Sequence, residues 1–212
     1  MESDRRWPTV PETTLEAGGW ELYDRREESL FRSPTARVDG YTLVYEDDAL
    51  REAVRGATDG ALDRPWRFVF LTRLSFTPPL APGVGPATWL PTIRREARRA
   101  FADDLEERGF VDVTRARGSS FDAGGRPSGL GGRRPDRFTA THVVERGGER
   151  TPVRVEAWLT VAVERGSFRL AGGAYPARDF DQVFTDAERA PLPSLDAERF
   201  RRELFELLRD DD

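Results

Sequence analysis

The chain has 212 residues, of which 38% are hydrophobic and 33% charged, and it carries a formal net charge of −5 and no cysteine. This length is enough for one domain with a packed interior, and the missing cysteines exclude disulfides, thiolate metal sites and cysteine nucleophiles. No apolar stretch approaches the roughly 20 residues of a membrane-spanning helix, and the N-terminus lacks the apolar core of a signal peptide, so we expect a soluble, cytoplasmic protein.

The first third of the chain predicts an N-terminal arm and first element over residues 1–34, followed by one α+β domain over 35–212. Residues 20–31 fit a strand or a helix equally well, because their centre is entirely charged. Residues 35–48 predict a strand, and 47–60 predict a short helix capped by Asp47 or Asp48. Residues 66–76 carry apolar side chains on both faces, which is typical of a central strand.

A proline- and glycine-rich bridge, PPLAPGVGPATWLP, follows at residues 78–91. Its prolines lack the N–H groups that a phosphate-binding loop presents, and no lysine follows, so we interpret it as a connector. The next helix is predicted to begin between Thr88 and Thr92 and to end before Gly109. Its expected buried stripe consists of Ile93, Ala97, Ala100, Phe101 and Leu105.

The second half of the chain predicts a strand from residue 110, a flexible insert over 118–136, and three strands joined by hairpin-like turns. In the middle strand an apolar side chain occupies every second position from Val153 to Val163, the clearest periodicity in the chain. A linker then leads to a last helix, for which Ser194 is the expected cap. The predicted fold class is therefore α+β: a mainly antiparallel sheet of about six strands with helices packed on it, similar to an α/β/α sandwich.

This order of elements resembles the PsbP-like α/β/α sandwich. The stretch VEAWLTVAVERGSFRLAGGAYPA, followed by FRRELFELL in the terminal helix, carries most of the resemblance, which covers roughly residues 35–208. PsbP-like domains generally act as non-catalytic assembly or binding factors, and the resemblance implies such a role here. All 33 basic residues are arginine, and this composition also resembles haloarchaeal families of unknown function and suits a salt-adapted or GC-rich source.

The arginine-rich start of the long helix is one candidate binding site. Arg94, Arg95 and Arg98 lie in its first half and acidic residues in its second, which is unfavourable for the helix dipole. An anion bound at the helix start would offset this arrangement, and so would salt screening. Nucleic-acid binding through residues 94–99 is a further alternative, although the net negative charge of the chain opposes it.

The single histidine, His142, is the only candidate for acid–base chemistry of the hydrolase type. It would need a carboxylate such as Glu156 or Glu145, but the sequence has no nucleophile turn beside it. The alternative is a half-buried structural histidine on the apolar face of its strand. We expect no metal site and no cofactor, since one histidine and no cysteine leave only scattered carboxylates.

Aromatic and basic side chains on the last strands form the remaining candidate. Trp158, Arg154 and Tyr175 belong to the sheet face opposite the valine-rich one, where they would bind a ligand if no helix covered them. We therefore predict a non-catalytic binding or assembly module, with a protein partner or a small anionic ligand. A helix covering this face is the structural alternative.

Overall fold

A computed structural model describes residues 6–10, 12–32, 34, 37–60, 62–79, 86–116, 135–146, 148–164, 166–178 and 193–208. Most of the predicted insert and linker, and the centre of the predicted bridge, lie outside these residues. The described chain has four helices, namely α1 (Glu12–Gly18), α2 (Asp48–Ala57), α3 (Pro86–Glu107) and α4 (Ala197–Leu208). Its strands are β1 (Trp20–Arg32), β2 (Arg37–Asp47), β3 (Phe68–Thr77), β4 (Phe110–Arg115), β5 (Asp136–Arg146), β6 (Glu149–Glu164) and β7 (Ser167–Pro176).

The strands form one antiparallel sheet in the order β1-β2-β3-β7-β6-β5-β4. The predicted α+β class is confirmed, with seven strands rather than about six. The additional strand is β1, the segment whose charged centre fitted either a strand or a helix. Helix α3 connects β3, near the middle of the sheet, to β4 at the far edge. Strands β5, β6 and β7 then follow one another from that edge back to β3.

Strand β1 is a long edge strand that is interrupted by two β-bulges. It pairs with β2 from Trp20 to Arg32, with register shifts at Tyr23 and Leu30. These two side chains are 63% and 54% exposed. Bulges of this kind twist an edge strand and interrupt the row of unpaired backbone N–H and C=O groups with which another chain could pair.

Helix α3 covers one face of the sheet, here called the α3 face. Its side chains Ala97, Phe101 and Leu105 pack on an apolar layer that includes Phe138 and the alternating residues of β6. The predicted alternation in β6 is confirmed, since its apolar residues from Val153 to Val161 are buried. Ala100 was predicted wrongly as part of the buried stripe, because contact with the sheet follows the narrow i, i+4 row and leaves Ala100 exposed beside it.

The opposite face, here called the α4 face, is covered by α4 over β7 and by α1 beside β1. Phe200, Leu204 and Phe205 of α4 are buried in this second core. The backbone N–H of Arg199 donates to Oδ1 of Asp196 at 2.9 Å, so Asp196 rather than Ser194 accepts the capping bond of α4.

A buried arginine joins α4 to the sheet and to the start of α2. Only 2% of the Arg67 side chain is exposed, and its guanidinium contacts Oδ2 of Asp47 at 2.9 Å and the carboxylate of Glu203. It also lies 4.2 Å from the ring centre of Trp20 and 4.4 Å from that of Phe200. The other carboxylate oxygen of Asp47 accepts the N–H of Leu50 and caps α2, so the predicted Asp47 cap is confirmed.

Two consecutive glycines in β7 allow close packing at the centre of the sheet. A Cβ atom on Gly173 would lie 2.4 Å from the carbonyl oxygen of Phe68 and 2.8 Å from Cδ1 of Leu204. A Cβ atom on Gly172 would lie 2.6 Å from the carbonyl oxygen of Trp158. Gly173 therefore permits α4 to lie directly on the sheet backbone, and Gly172, which points to the α3 face, leaves room for the ring of Phe70.

Candidate functional site

The α4 face carries an open cleft at the end of the sheet that α4 does not cover. Its volume is about 490 Å³, which falls in the range of small-molecule sites. Among the described residues the lining is polar, with three arginines, two acidic residues, two threonines and two alanines: Arg137, Arg154, Arg178, Asp112, Glu156, Thr139, Thr141, Ala140 and Ala177.

The strand register explains why these side chains meet. Arg154 lies opposite Thr141 on β5, and its carbonyl oxygen accepts the N–H of Ala177 just after β7. Two residues further along β6, Glu156 is paired with Thr139 on β5 and with Tyr175 on β7. Directly paired residues of an antiparallel sheet point to the same face, so these positions form two adjacent rows on the α4 face.

A third row, between Arg137 and Gly173, contains Trp158 and lies deeper. Trp158 is 4% exposed and contacts the ring of Phe205 of α4 edge to face, with ring centres 5.1 Å apart. The α4 face therefore changes from an aromatic layer under the helix to a polar, open surface within three residues of β6.

A hydrogen-bonded chain connects the cleft to the buried layer. Trp158 Nε1 donates to the hydroxyl of Tyr175 at 3.0 Å, and that hydroxyl donates to Oε2 of Glu156 at 3.0 Å. Oε1 of Glu156 accepts from the guanidinium of Arg137. Burial, and secondly the charge of Glu156, raise the pKa of Tyr175, so its hydroxyl remains a neutral donor. The network fixes the Glu156 carboxylate and compensates its charge.

Arg154 and Arg178 differ from Arg137, because neither makes an ion pair with another residue of the described chain. Both side chains are exposed at the mouth of the cleft. Guanidinium groups present five donors in a planar fork that matches carboxylate or phosphate oxygens. Two such groups beside threonine hydroxyls are the strongest chemical feature of this surface.

The structure places the three predicted face residues in different environments. Arg154 lines the cleft, whereas Trp158 and Tyr175 are buried at 4% and 1% exposure. A helix covers these two side chains, as in the alternative considered from the sequence. Neither side chain is among the described residues that line the cleft.

His142 and Glu156 are not brought together. His142 lies opposite Val153 and Phe110 on the strands around it, on the α3 face, whereas Glu156 points to the α4 face. Glu145 does not face His142 either, because residues three positions apart on a strand point to opposite faces of the sheet. Its carboxylate instead forms an ion pair with Arg150 at 3.3 Å. The sheet itself therefore separates the proposed base from both carboxylates.

The surroundings of His142 are those of a neutral structural histidine. Its ring contacts those of Phe110 and Trp66, with centres 5.0 and 6.2 Å away. Its Nε2 faces the guanidinium of Arg64, which can only donate, so Nε2 is the acceptor and the proton resides on Nδ1. Burial, and secondly the charge of Arg64, lower the pKa of His142 to about 4.

This lowered pKa predicts a specific dependence of stability on pH. Between pH 6.5 and about 4 the unfolded chain takes up a proton at His142 and the folded chain does not, so the stabilisation is complete above pH 6.5 and is lost as pH falls through this window. We expect a loss of about 2 kcal/mol, allowing for the partial exposure of the ring. Urea unfolding from pH 7 to pH 4 should show this extra loss in the native chain but not in His142→Gln. If the free energy of unfolding fell equally with pH in both proteins, His142 would not be the group responsible.

The arginines of α3 are distributed along the helix rather than gathered at its start. The helix begins at Pro86, earlier than predicted, so Arg94 lies two turns inside, where the dipole has little effect. Arg94 donates to the carbonyl oxygen of Val161 at 3.4 Å, and Arg98 donates to Asp136 at 2.7 Å. Arg95 is 74% exposed and contacts only the neighbouring Glu96 among described residues. The described geometry forms no anion pocket there.

Among the described residues, no group of three or more histidine, aspartate and glutamate side chains is arranged to hold a metal ion. The same part of the chain contains no helix of the length and apolarity that a membrane crossing requires.

Most cleft residues were missed from the sequence alone. Arg137, Thr139 and Thr141 alternate with Phe138 and Ala140 on β5, and this period-two pattern would have indicated a polar strand face. Asp112 and Arg178 lie at a bulge and just after a strand end, where no periodicity identifies them.

The fold and the cleft together define an α+β sandwich with one open, polar end on its α4 face. The chain belongs to the family described as Domain of unknown function (DUF6517), whose model matches residues 7–210. No curated protein and no solved structure matches the chain. The comparisons thus give no support to the PsbP-like resemblance or to a haloarchaeal relationship.

Proposed function

We propose that the chain is a non-catalytic binding module whose cleft takes a ligand with a carboxylate or phosphate group. The observation that carries this proposal is the pair Arg154 and Arg178, which line a concave surface without an acidic partner among described residues. Charge-assisted hydrogen bonds from such groups are about twice as strong as neutral ones.

The rest of the lining supports a polar ligand. Thr139 and Thr141 supply hydroxyl groups, and no aromatic side chain of the described residues lines the cleft for stacking on a base. The deeper network holds Glu156 and Arg137 in place, which provides a rigid floor for the exposed arginines. A preformed polar surface on a sheet binds with a smaller ordering cost than a loop does.

Catalysis is the less favoured alternative. A hydrolase would need a base and a second reactive group within hydrogen-bond reach of one substrate, and His142 and Glu156 lie on opposite faces of the sheet. Nucleic-acid or anion binding through residues 94–99 is also less favoured, because Arg94 and Arg98 have partners within the domain.

The proposal extends to the setting in which the module acts. The arginine-only basic composition supports a salt-adapted or GC-rich source, and we extend the proposal to a cytoplasmic setting. A partner protein that presents an acidic side chain to the cleft would satisfy the same chemistry as a small anion. The PsbP-like resemblance implies a similar role, but the proposal rests on the cleft.

Removing one guanidinium group tests the cleft directly. We expect Arg154→Ala to weaken binding of adipate or inorganic phosphate about 5- to 10-fold, through the loss of about 1–1.4 kcal/mol of charge-assisted bonding. Binding is measured by calorimetry and by shifts of the backbone amide resonances of Thr139 and Thr141, at constant ionic strength.

Arg55→Ala is the matched control, since it removes the same charge from an exposed site on α2 that belongs to neither candidate site. It should leave the affinity unchanged. An equal loss in both variants would mean that only net charge attracts the anion. Absence of binding by either probe at tens of millimolar would refute the proposed function.

A further inference from the structure

The ligand class can be defined more narrowly from the distribution of charge in the cleft, an inference that rests on the proposed function. We infer that the cleft recognises a bipolar ligand, with an anionic group at Arg154 and Arg178 and a cationic group at Asp112. A short carbon chain would separate the two charged groups.

The first step is the charge balance of the lining. The carboxylate of Glu156 is already bonded to Arg137 and to the Tyr175 hydroxyl. Three charged side chains then remain without an ion pair to another described residue, namely Arg154, Arg178 and Asp112. A purely anionic ligand would satisfy the two arginines and would be repelled by Asp112.

The second step is the position of Asp112 at the outer wall of the cleft. It lies in a β-bulge, where the register of β4 against β5 shifts between Val111 and Thr114. Its φ of 55° is in the left-handed region, which aspartate adopts more readily than most residues. Bulges redirect a side chain out of the regular alternation of a strand, and here the bulged residue lines the cleft.

The third step is the separation of the opposite charges. Asp112 is on β4 and Arg154 on β6, with β5 between them. Two inter-strand spacings place their backbones about 10 Å apart, and the side chains shorten this gap. A ligand whose ammonium and carboxylate groups are joined by a short carbon chain can contact both walls across the threonine-lined floor.

Two probes of equal length distinguish a bipolar from an anionic preference. ε-Aminocaproate carries one ammonium and one carboxylate, and adipate carries a carboxylate at each end. We expect the native protein to bind ε-aminocaproate at least about 5-fold more tightly than adipate, because adipate places a negative charge against Asp112. Calorimetry at pH 7 and fixed ionic strength measures both affinities.

Asp112→Asn identifies the residue responsible. It removes the charge with little change in size and should weaken ε-aminocaproate about 5-fold while strengthening adipate. Arg154→Ala should weaken both probes. A native preference for adipate, or a probe ratio unchanged by Asp112→Asn, would overturn the bipolar assignment and leave the anion-binding proposal standing. Failure of both probes to bind would remove both proposals, and thermal unfolding of each variant verifies that it is folded.

Discussion

Replacing Arg67 with alanine is expected to lower the free energy of unfolding by about 3–5 kcal/mol, the cost of breaking a buried ion pair from one side. The change leaves the carboxylates of Asp47 and Glu203 without their shared cation, in a region where only 2% of the arginine side chain is exposed. It also removes the cation from between the rings of Trp20 and Phe200. Chemical denaturation at pH 7 measures the loss.

The control for this variant is Arg199→Ala. Arg199 also contacts Glu203, at 2.6 Å, but its side chain is 58% exposed. Its removal should cost no more than about 0.5–1 kcal/mol, since solvent screens an exposed pair. Losses of similar size in the two variants would show that burial of Arg67 contributes little.

Replacing Gly173 with alanine is expected to destabilise the domain by about 3 kcal/mol, at the upper end of the range for overpacked cores. The added methyl group would meet the carbonyl oxygen of Phe68 at 2.4 Å and the Cα atom of Val69 at 3.1 Å. These are backbone atoms of the neighbouring central strand, which cannot rotate away as a side chain can. Thermal and urea unfolding should both report the loss.

Gly56→Ala is the matched control, with the opposite expected sign. Gly56 lies in α2, and a Cβ atom there would have no neighbour within 4 Å. Alanine should stabilise the helix by about 0.5–1 kcal/mol, because glycine has the greater freedom to lose on folding. A neutral Gly173→Ala would mean that β3 and β7 can separate without cost at this point.

Local patterns in the sequence were sufficient to predict most elements of the fold. The alternation from Val153 to Val163 identified β6, and apolar side chains on both faces of β3 indicated its central place. Asp47, with Asp48 as the alternative, was predicted as the cap of α2, because an acidic residue before an apolar helical stripe commonly accepts a free N–H group at the helix start. These features depend on neighbours within a few residues, which a sequence displays directly.

The failures arose where tertiary contacts decide the outcome. Strand β1 has a charged centre, and only its pairing with β2 makes it a strand. Ala100 has the right spacing for the α3 stripe, but only the i, i+4 row of Ala97, Phe101 and Leu105 contacts the sheet, so Ala100 remains exposed. Ser194 and Asp196 are both good caps, and the exact start of α4 selects the second.

The candidate site was predictable only in part. Arg154 was identified because it lies on the polar face of the best-defined strand. The cleft itself depends on β4 returning to pair with β5 after the α3 crossover and on α4 ending its cover over β7. Neither the strand order nor the extent of helix cover is encoded in the periodicity of a single segment.

The two bulges in β1 determine how copies of this chain can meet. Between them, residues 24–29 form the longest stretch in regular register with β2, and five of those six side chains are charged. A second molecule that paired with β1 to extend the sheet would lose register at each bulge. Between the bulges its strand would lie beside a row of charged side chains. Although β1 spans 13 residues, this rim opposes open-ended stacking, and concentrated solutions of the folded chain should resist fibre growth from that side.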